Sequence, residues 1–202
     1  TIITLPYGRK VKAKSGHLSF NMWGFQENAL SSWYIRFAED TSIEMPTGDK
    51  VLLKGNKYHS LYFYNSGNIR ELKLDRDTLV TLPTGDRAQV IDCVCFNDDG
   101  NIQVVGLSKN KLITLPQGDT VSVNSIFFNT AGKIEGFGFE KPTKIMIPTN
   151  ETVLASHLYL NDQGRIMVVY LAHNTSVSVT GFAGAAIQEI HFDDEGKVIK
   201  AK

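Results

Sequence analysis

The residues best suited to bind a ligand are aromatic side chains concentrated between positions 21 and 64. This stretch contains both tryptophans of the chain, set among polar residues. Trp and Tyr rings stack on sugars and anchor protein partners, because they offer a large contact area at a small entropic cost. An N-terminal cap that closes the exposed end of the core would use the same side chains, and we rank it ahead of ligand binding. The candidate ligand-binding residues are Trp23, Phe25, Trp33, Tyr34, Tyr58, Tyr62 and Tyr64.

The thiol groups of the chain are confined to Cys93 and Cys95. These residues stand two apart in a strand-like run, so they share one face and are poorly placed for a disulfide with each other. A Cys-x-Cys metal or redox site would need further Cys or His ligands, and the sequence shows no such spacing. We therefore expect two buried thiols, no metal site and no cofactor.

The remaining polar residues form no catalytic motif. The histidines have no metal-pair spacing, and none stands beside an evident nucleophile. Acidic pairs such as Asp98–Asp99 and Asp193–Asp194 fall in equivalent turns, where turn propensity explains them better than an edge ladder that binds Ca²⁺. The Gly-rich segment Gly181–Gly184 lacks the strand-to-helix context and the Lys of a phosphate loop, which favours a relaxed turn. The five histidines are His17, His59, His157, His173 and His191.

A β-hairpin motif places these residues, and it recurs along the chain. An aliphatic residue and a Phe or Leu stand six and four residues before a glycine, and this period of two indicates one buried strand face. In most copies Asn or Asp stands three residues before the glycine, where it caps a type I turn, and the glycine supplies the left-handed residue of a G1 bulge. Leu18–Gly24 is an earlier, less regular copy. The regular glycines are Gly67, Gly100, Gly132, Gly164 and Gly196, in steps of 33, 32, 32 and 32 residues.

A second hairpin follows the first in nearly every unit, and its signature is Leu-Pro-Thr-Gly-Asp. Proline presets φ for the first turn position, and the Gly or Asn two residues later tolerates the left-handed conformation. Two hairpins in each of six units would give about 24 short strands of the usual three to ten residues. Five of the six prolines occupy this column, namely Pro6, Pro46, Pro83, Pro116 and Pro148.

These patterns predict an all-β fold of six tandem double-hairpin units of about 32 residues, arranged as an elongated meander or solenoid. The alternative is a closed, six-bladed, propeller-like ring, because the sequence opens on a second hairpin and closes on a first. We expect a single repeat domain over residues 1–202, with an irregular portion 1–66 and regular repeats 67–202.

The amino-acid composition narrows the classes of partner that the protein could bind. The hydrophobic content of 42% supports a substantial core. Lys and Arg total 21, as do Asp and Glu, so no global charge attracts nucleic acid. No apolar run reaches the roughly 18 residues of a membrane span.

The sequence starts at Thr1, which is compatible with removal of a targeting or anchoring segment. The compartment stays undetermined, with secretion or the cell envelope as the working hypothesis, and the oligomeric state is open.

The Phe-Asn-x-x-Gly-x-Ile hairpin resembles those of bacterial hairpin-repeat families, such as MORN-like and YD-type repeats. The resemblance covers only the nine-residue hairpin core, and the chain departs from it in its longer period and its added Leu-Pro-Thr-Gly-Asp turn. It implies a bacterial binding or structural module, and it transfers no functional residue.

Three functional hypotheses follow. The first is a non-catalytic surface or envelope interaction module that binds a protein or glycan surface, because repeats build large faces. The second is a carbohydrate-binding protein that uses the aromatics of residues 23–64. The third is an enzyme with its site in the central channel of a ring.

Overall fold

The computed structural model of the protein describes residues 2–4, 10–12, 33–35, 40–53, 61–64, 66–115, 117–176 and 186–202. Side chains are described for 40–53, 61–64, 66–74, 76–115, 117–172 and 187–202. The predicted site residues Trp23, Phe25 and Tyr58, and the Gly181–Gly184 segment, lie outside the described residues.

The described residues form β-strands joined by tight turns and contain no helix, which confirms the all-β prediction. The strands are β1 (Ile2–Thr4), β2 (Lys10–Lys12), β3 (Trp33–Ile35), β4 (Thr41–Glu44), β5 (Lys50–Leu53), β6 (Leu61–Phe63), β7 (Ile69–Thr81), β8 (Arg87–Phe96), β9 (Ile102–Thr114), β10 (Thr120–Phe128), β11 (Ile134–Met146), β12 (Thr152–Leu160), β13 (Ile166–Ser176), β14 (Ala186–Phe192) and β15 (Val198–Ala201).

Eleven of these strands form one antiparallel meander, in the order β15 to β6 without interruption and then β3. The pairs β1–β2 and β4–β5 form separate hairpins. In the described part of the chain β3 and β15 end the sheet and do not pair with each other, so the sheet is open. The alternative of a closed six-bladed ring is therefore wrong.

Strands β7 to β13 are longer than expected. β7, β9 and β11 each span 13 residues, because the end of one hairpin continues directly into the next. The expectation of uniformly short strands is wrong here, since register shifts replace the predicted breaks. One such shift lies between Leu74 and Thr78, and another between Gly138 and Thr143.

Both hairpin columns fold into the same turn, and the sequence predicted its geometry. In nine described turns the carbonyl of the first residue accepts the N–H of the fourth, and the N–H of the first donates to the carbonyl of the fifth. The fourth residue has φ between 64° and 96°. It is Gly in eight turns and Asn150 in the ninth, which confirms that asparagine replaces glycine at a left-handed position.

The predicted strand faces form the core. The residue six before each regular glycine is buried in every copy: Leu61, Val94, Ile126, Leu158 and Ile190. Phe63, Phe96, Phe128 and Phe192 are buried as well, while Leu160 is half-buried and Ile134 is 38% exposed. The Pro hairpins add a second set of buried aliphatic residues, including Val80, Val121, Ile145 and Val153.

The chain divides into two compact units, Thr1–Ser108 and Lys109–Lys202, with the boundary inside β9. In the second unit the Asx turn at Gly196 lies against the Pro turn at Pro148, because a Cβ atom added at Gly196 would be 2.8 Å from Pro148 Cβ. A flat meander would hold these turns at opposite edges, so the strands of this unit are not flat. The prediction of a single domain remains a prediction.

Candidate functional site

Only part of the predicted aromatic group falls within the described chain. Trp33 and Tyr34 lie on β3, and Tyr34 pairs with the half-buried Tyr62 of β6 across the sheet. Tyr64 follows β6, and its hydroxyl donates a 2.8 Å hydrogen bond to the Phe96 carbonyl one repeat later. Burial raises the pKa of Tyr64. Tyr64 therefore links neighbouring hairpins, and its role as a ligand contact remains a prediction.

The acidic turns form a ladder of side-chain hydrogen bonds. The Asn161 Oδ1 atom accepts the N–H groups of Gln163 and Arg165 at 3.0 and 2.9 Å, which is the predicted Asx cap. Its Nδ2 group donates at 2.8 Å to Asp194 Oδ1 in the next turn. Asn129 donates in the same way to Asp162 at 3.4 Å. These carboxylates accept amide protons, which accounts for their position without a cation.

The aspartate of the Pro turn also bridges neighbouring hairpins. The Asp119 Oδ2 atom accepts the Met146 N–H at 2.8 Å, just before the following Pro turn. Asp49 accepts the Thr81 N–H at 2.8 Å and the Thr81 hydroxyl at 3.1 Å. Thr47 donates at 3.0 Å to the Asp49 carboxylate, so the threonine of the motif helps to orient the aspartate. Asp49 and Asp119 thus have structural roles in their turns.

Four aromatic rings contact one another on the second unit. Phe127, His157, Tyr159 and Tyr170, here called the aromatic cluster, are half-buried and lie on the sheet face opposite the core. Their neighbours Ile126, Leu158 and Val169 point into the core. The Phe127 and Tyr159 rings stack at 5.2 Å between centroids, and the His157 and Tyr170 rings stack at 4.2 Å. His157 and Tyr159 meet edge to face at 6.1 Å.

A glycine makes the stacking of Phe127 on Tyr159 possible. Phe127 and Tyr159 both pair with Gly136, from the two strands that flank β11. Strands two apart are separated by about 9.5 Å, so the two rings must lean over the strand between them. A Cβ atom at Gly136 would lie 3.0 Å from the Phe127 ring and 2.5 Å from the Leu158 carbonyl. Gly136 therefore provides the space in which the rings meet.

A β-bulge adds a serine beside the cluster. The register shifts between Ala155 and His157, which leaves Ser156 as the extra residue of β12. Its hydroxyl donates to the Tyr170 carbonyl at 3.2 Å, and its oxygen lies 2.9 Å from His157 Nδ1. Both bonds are satisfied when His157 Nδ1 donates to Ser156. Burial lowers the pKa of His157.

A charged group borders the aromatic cluster. Glu189 pairs with Tyr170 across β13 and β14. Its Oε1 atom lies 2.6 Å from Lys202 Nζ and 3.2 Å from His191 Nε2. The pKa of Glu189 is lowered to about 2, chiefly by the hydrogen bond from Lys202 and secondly by the hydrogen bond from His191. An apolar centre beside a polar margin is the arrangement found in protein-binding surfaces.

The two thiols lie in the first unit, on the sheet face opposite the core. Cys93 pairs with Lys73 and Cys95 pairs with Glu71, while Val94 between them is fully buried. A hydrogen bond between the thiols lowers the pKa of Cys93 to about 7 and raises the pKa of Cys95. Both residues are half-buried rather than buried as expected.

Comparison with known proteins gave no matching family model, no matching curated protein and no matching solved structure. Among the described residues no helix is both long and apolar enough to cross a membrane. The resemblance to hairpin-repeat families stays a prediction from the residues.

Proposed function

We propose that the protein is a non-catalytic interaction module of six double-hairpin units, which acts at a cell surface or envelope. Side-chain bonds between equivalent turns support the repeat, because they join residues 32 or 33 positions apart. Tyr64 bonds to Phe96, Asn129 to Asp162 and Asn161 to Asp194 in this way. Such nearest-neighbour contacts are the basis of repeat stability and leave an extended face for binding.

The aromatic cluster is the binding centre in this proposal, and its partner is a protein. The observation that carries the proposal is that four stacked rings remain half-exposed on the face away from the core. Rings already held by one another lose little further freedom on binding, so their contact area is gained at a low entropic cost. Glu189, His191 and Lys202 supply hydrogen-bonding groups at the margin.

Affinity capture from the source cells tests this proposal. We expect the wild-type chain to retain a partner that the double variant Tyr159→Ser/Tyr170→Ser loses. Leu154→Ser is the matched control, because Leu154 is 36% exposed on the same strand but lies in the Pro hairpin. A circular dichroism spectrum shared by all three chains shows that the fold is retained. Equal capture by all three, or no partner for any, contradicts the proposal.

Carbohydrate binding by the N-terminal aromatics is the second candidate. The observation that favours it is the pairing of Tyr34 with Tyr62 on adjacent strands. A glycan array should show a signal that Tyr62→Ala abolishes and Tyr159→Ala leaves unchanged. An array without signal for the wild-type chain rejects this function.

A further inference from the structure

The thiol pair of β8 has no part in the proposed protein-binding surface, yet its arrangement suits a ligand. Cys93 and Cys95 are free thiols on the outward face of the first unit, and both are half-buried. The residues across the strand pair, Lys73 and Glu71, are polar. Each thiol is thus shielded by the sheet while its site stays open to small solutes.

The number of available ligands decides which metal ions fit. Structural Zn²⁺ takes four protein ligands, and catalytic Zn²⁺ takes three. Among the described residues, no group of three or more His, Cys, Asp or Glu side chains could hold a metal ion. A soft monovalent cation such as Cu(I) prefers thiolate sulfur and is satisfied by two opposed thiolates.

The spacing of the two residues also favours a bridging cation over a disulfide. Residues two apart in a strand are roughly 6.5 to 7 Å apart at Cα, at the upper end of the disulfide range, and their side chains run parallel. A metal–sulfur bond is about 2.3 Å for zinc, so two thiolates on opposite sides of one cation lie roughly 4 to 5 Å apart. Parallel side chains span this separation more easily than the 2.0 Å of a direct sulfur–sulfur bond.

Charged groups of both signs lie near the two thiols. Two thiolates and one Cu(I) ion carry a net charge of −1. The Lys73 ammonium lies opposite Cys93, 3.5 Å from the Glu71 carboxylate, and it is 46% exposed. Arg70 adds a second positive charge near Cys95. The carboxylates of Glu71 and Asp92 also act on the thiols, so Lys73 and Arg70 offset part of the local negative charge.

We propose that Cys93 and Cys95 form a two-coordinate site for one Cu(I) ion. Both sulfurs bind as thiolates, so the thiol protons pass to solvent as the metal enters, and the copper stays in its reduced state. The ligand class is a soft monovalent cation, and no residue beyond the two cysteines is a ligand.

An anaerobic Cu(I) titration against a chromogenic Cu(I) chelator tests the site. We expect one Cu(I) per chain, with an affinity that falls more than about 100-fold in Cys93→Ser and in Cys95→Ser, beyond the 10- to 100-fold loss typical of an outer-sphere partner. The double variant His157→Asn/His191→Asn is the control and should bind as the wild-type chain does. Unchanged binding by either serine variant overturns the proposal.

X-ray absorption of the wild-type copper complex provides a readout that does not depend on any variant. Two sulfur neighbours and no nitrogen or oxygen neighbour are expected. A third ligand, or native mass spectra in which one copper joins two chains, overturns the intramolecular two-coordinate site.

Discussion

At the scale of single residues, the turn glycines differ in what surrounds them. Gly85 and Gly196 have φ of 87° and 81°, but a Cβ atom at Gly85 would meet nothing within 4 Å, whereas one at Gly196 would meet Pro148. Gly85→Ala should cost about 1–2 kcal/mol from the left-handed backbone alone. Gly196→Ala should cost about 1–3 kcal/mol more, because the added carbon overpacks against the proline.

Urea unfolding measures both costs. Asn150→Gly is the control, with an expected change in stability of opposite sign. It replaces a non-glycine residue in the left-handed conformation and should stabilise the protein by about 1 kcal/mol. Equal losses for Gly85→Ala and Gly196→Ala would contradict the contact between the Asx and Pro turns.

His157 makes stability depend on pH. Burial lowers its pKa in the folded protein, so the unfolded chain binds the proton more readily. Stability should therefore fall as pH drops below about 6.5, the ordinary value for histidine. Urea midpoints measured between pH 5 and 8 should slope less in His157→Gln. Glu189 acts in a separate range, since its pKa of about 2 makes its contribution fall only as pH drops below 4.5. If the urea midpoints of His157→Gln kept the wild-type slope between pH 5 and 8, His157 would not be the group responsible for the pH dependence.

At the scale of elements, the aspartate of the Pro turn should stabilise the next hairpin. Asp119→Ala leaves the Met146 N–H without its acceptor, which should cost about 1–3 kcal/mol, and Asp119→Asn should cost less because an acceptor oxygen remains. Asp99→Ala, at an exposed turn position, should change stability by no more than about 0.5 kcal/mol. Urea unfolding gives these values, and amide exchange at Met146 should accelerate only in the Asp119 variants. Equal behaviour of Asp119→Ala and Asp99→Ala would show that the bond is not stabilising.

The elements also show what the sequence could reveal. Turns and buried faces were predictable, because Asn97, Gly100 and their equivalents act on neighbours a few residues away. Bulges depend on how two strands pair, so the bulge at Ser156 could not be foreseen. Phe127 and Tyr159 stand in different repeats and meet only across Gly136. Glycines at 136 and 138, which alternate with Phe137 and Phe139 in one strand, were the available signal of a close approach.

At the scale of the whole molecule, repeat architecture makes a prediction about cooperativity. Each hairpin bonds mainly to its neighbours, so a local defect should weaken its own unit rather than the entire chain. Leu72 in the first unit and Leu158 in the second are both fully buried. Either substitution to alanine should cost about 2–5 kcal/mol of local stability.

Amide hydrogen exchange distinguishes this behaviour from that of one cooperative domain. In Leu72→Ala the amides of β6, β7 and β8 should lose protection while those of β13, β14 and β15 keep it, and Leu158→Ala should give the converse. The two variants control for each other, because both remove the same side chain from equally buried sites. Uniform loss of protection in both would mean that residues 1–202 unfold as a single cooperative body. The nearest-neighbour bonds between turns would then govern local geometry without setting the unit of unfolding.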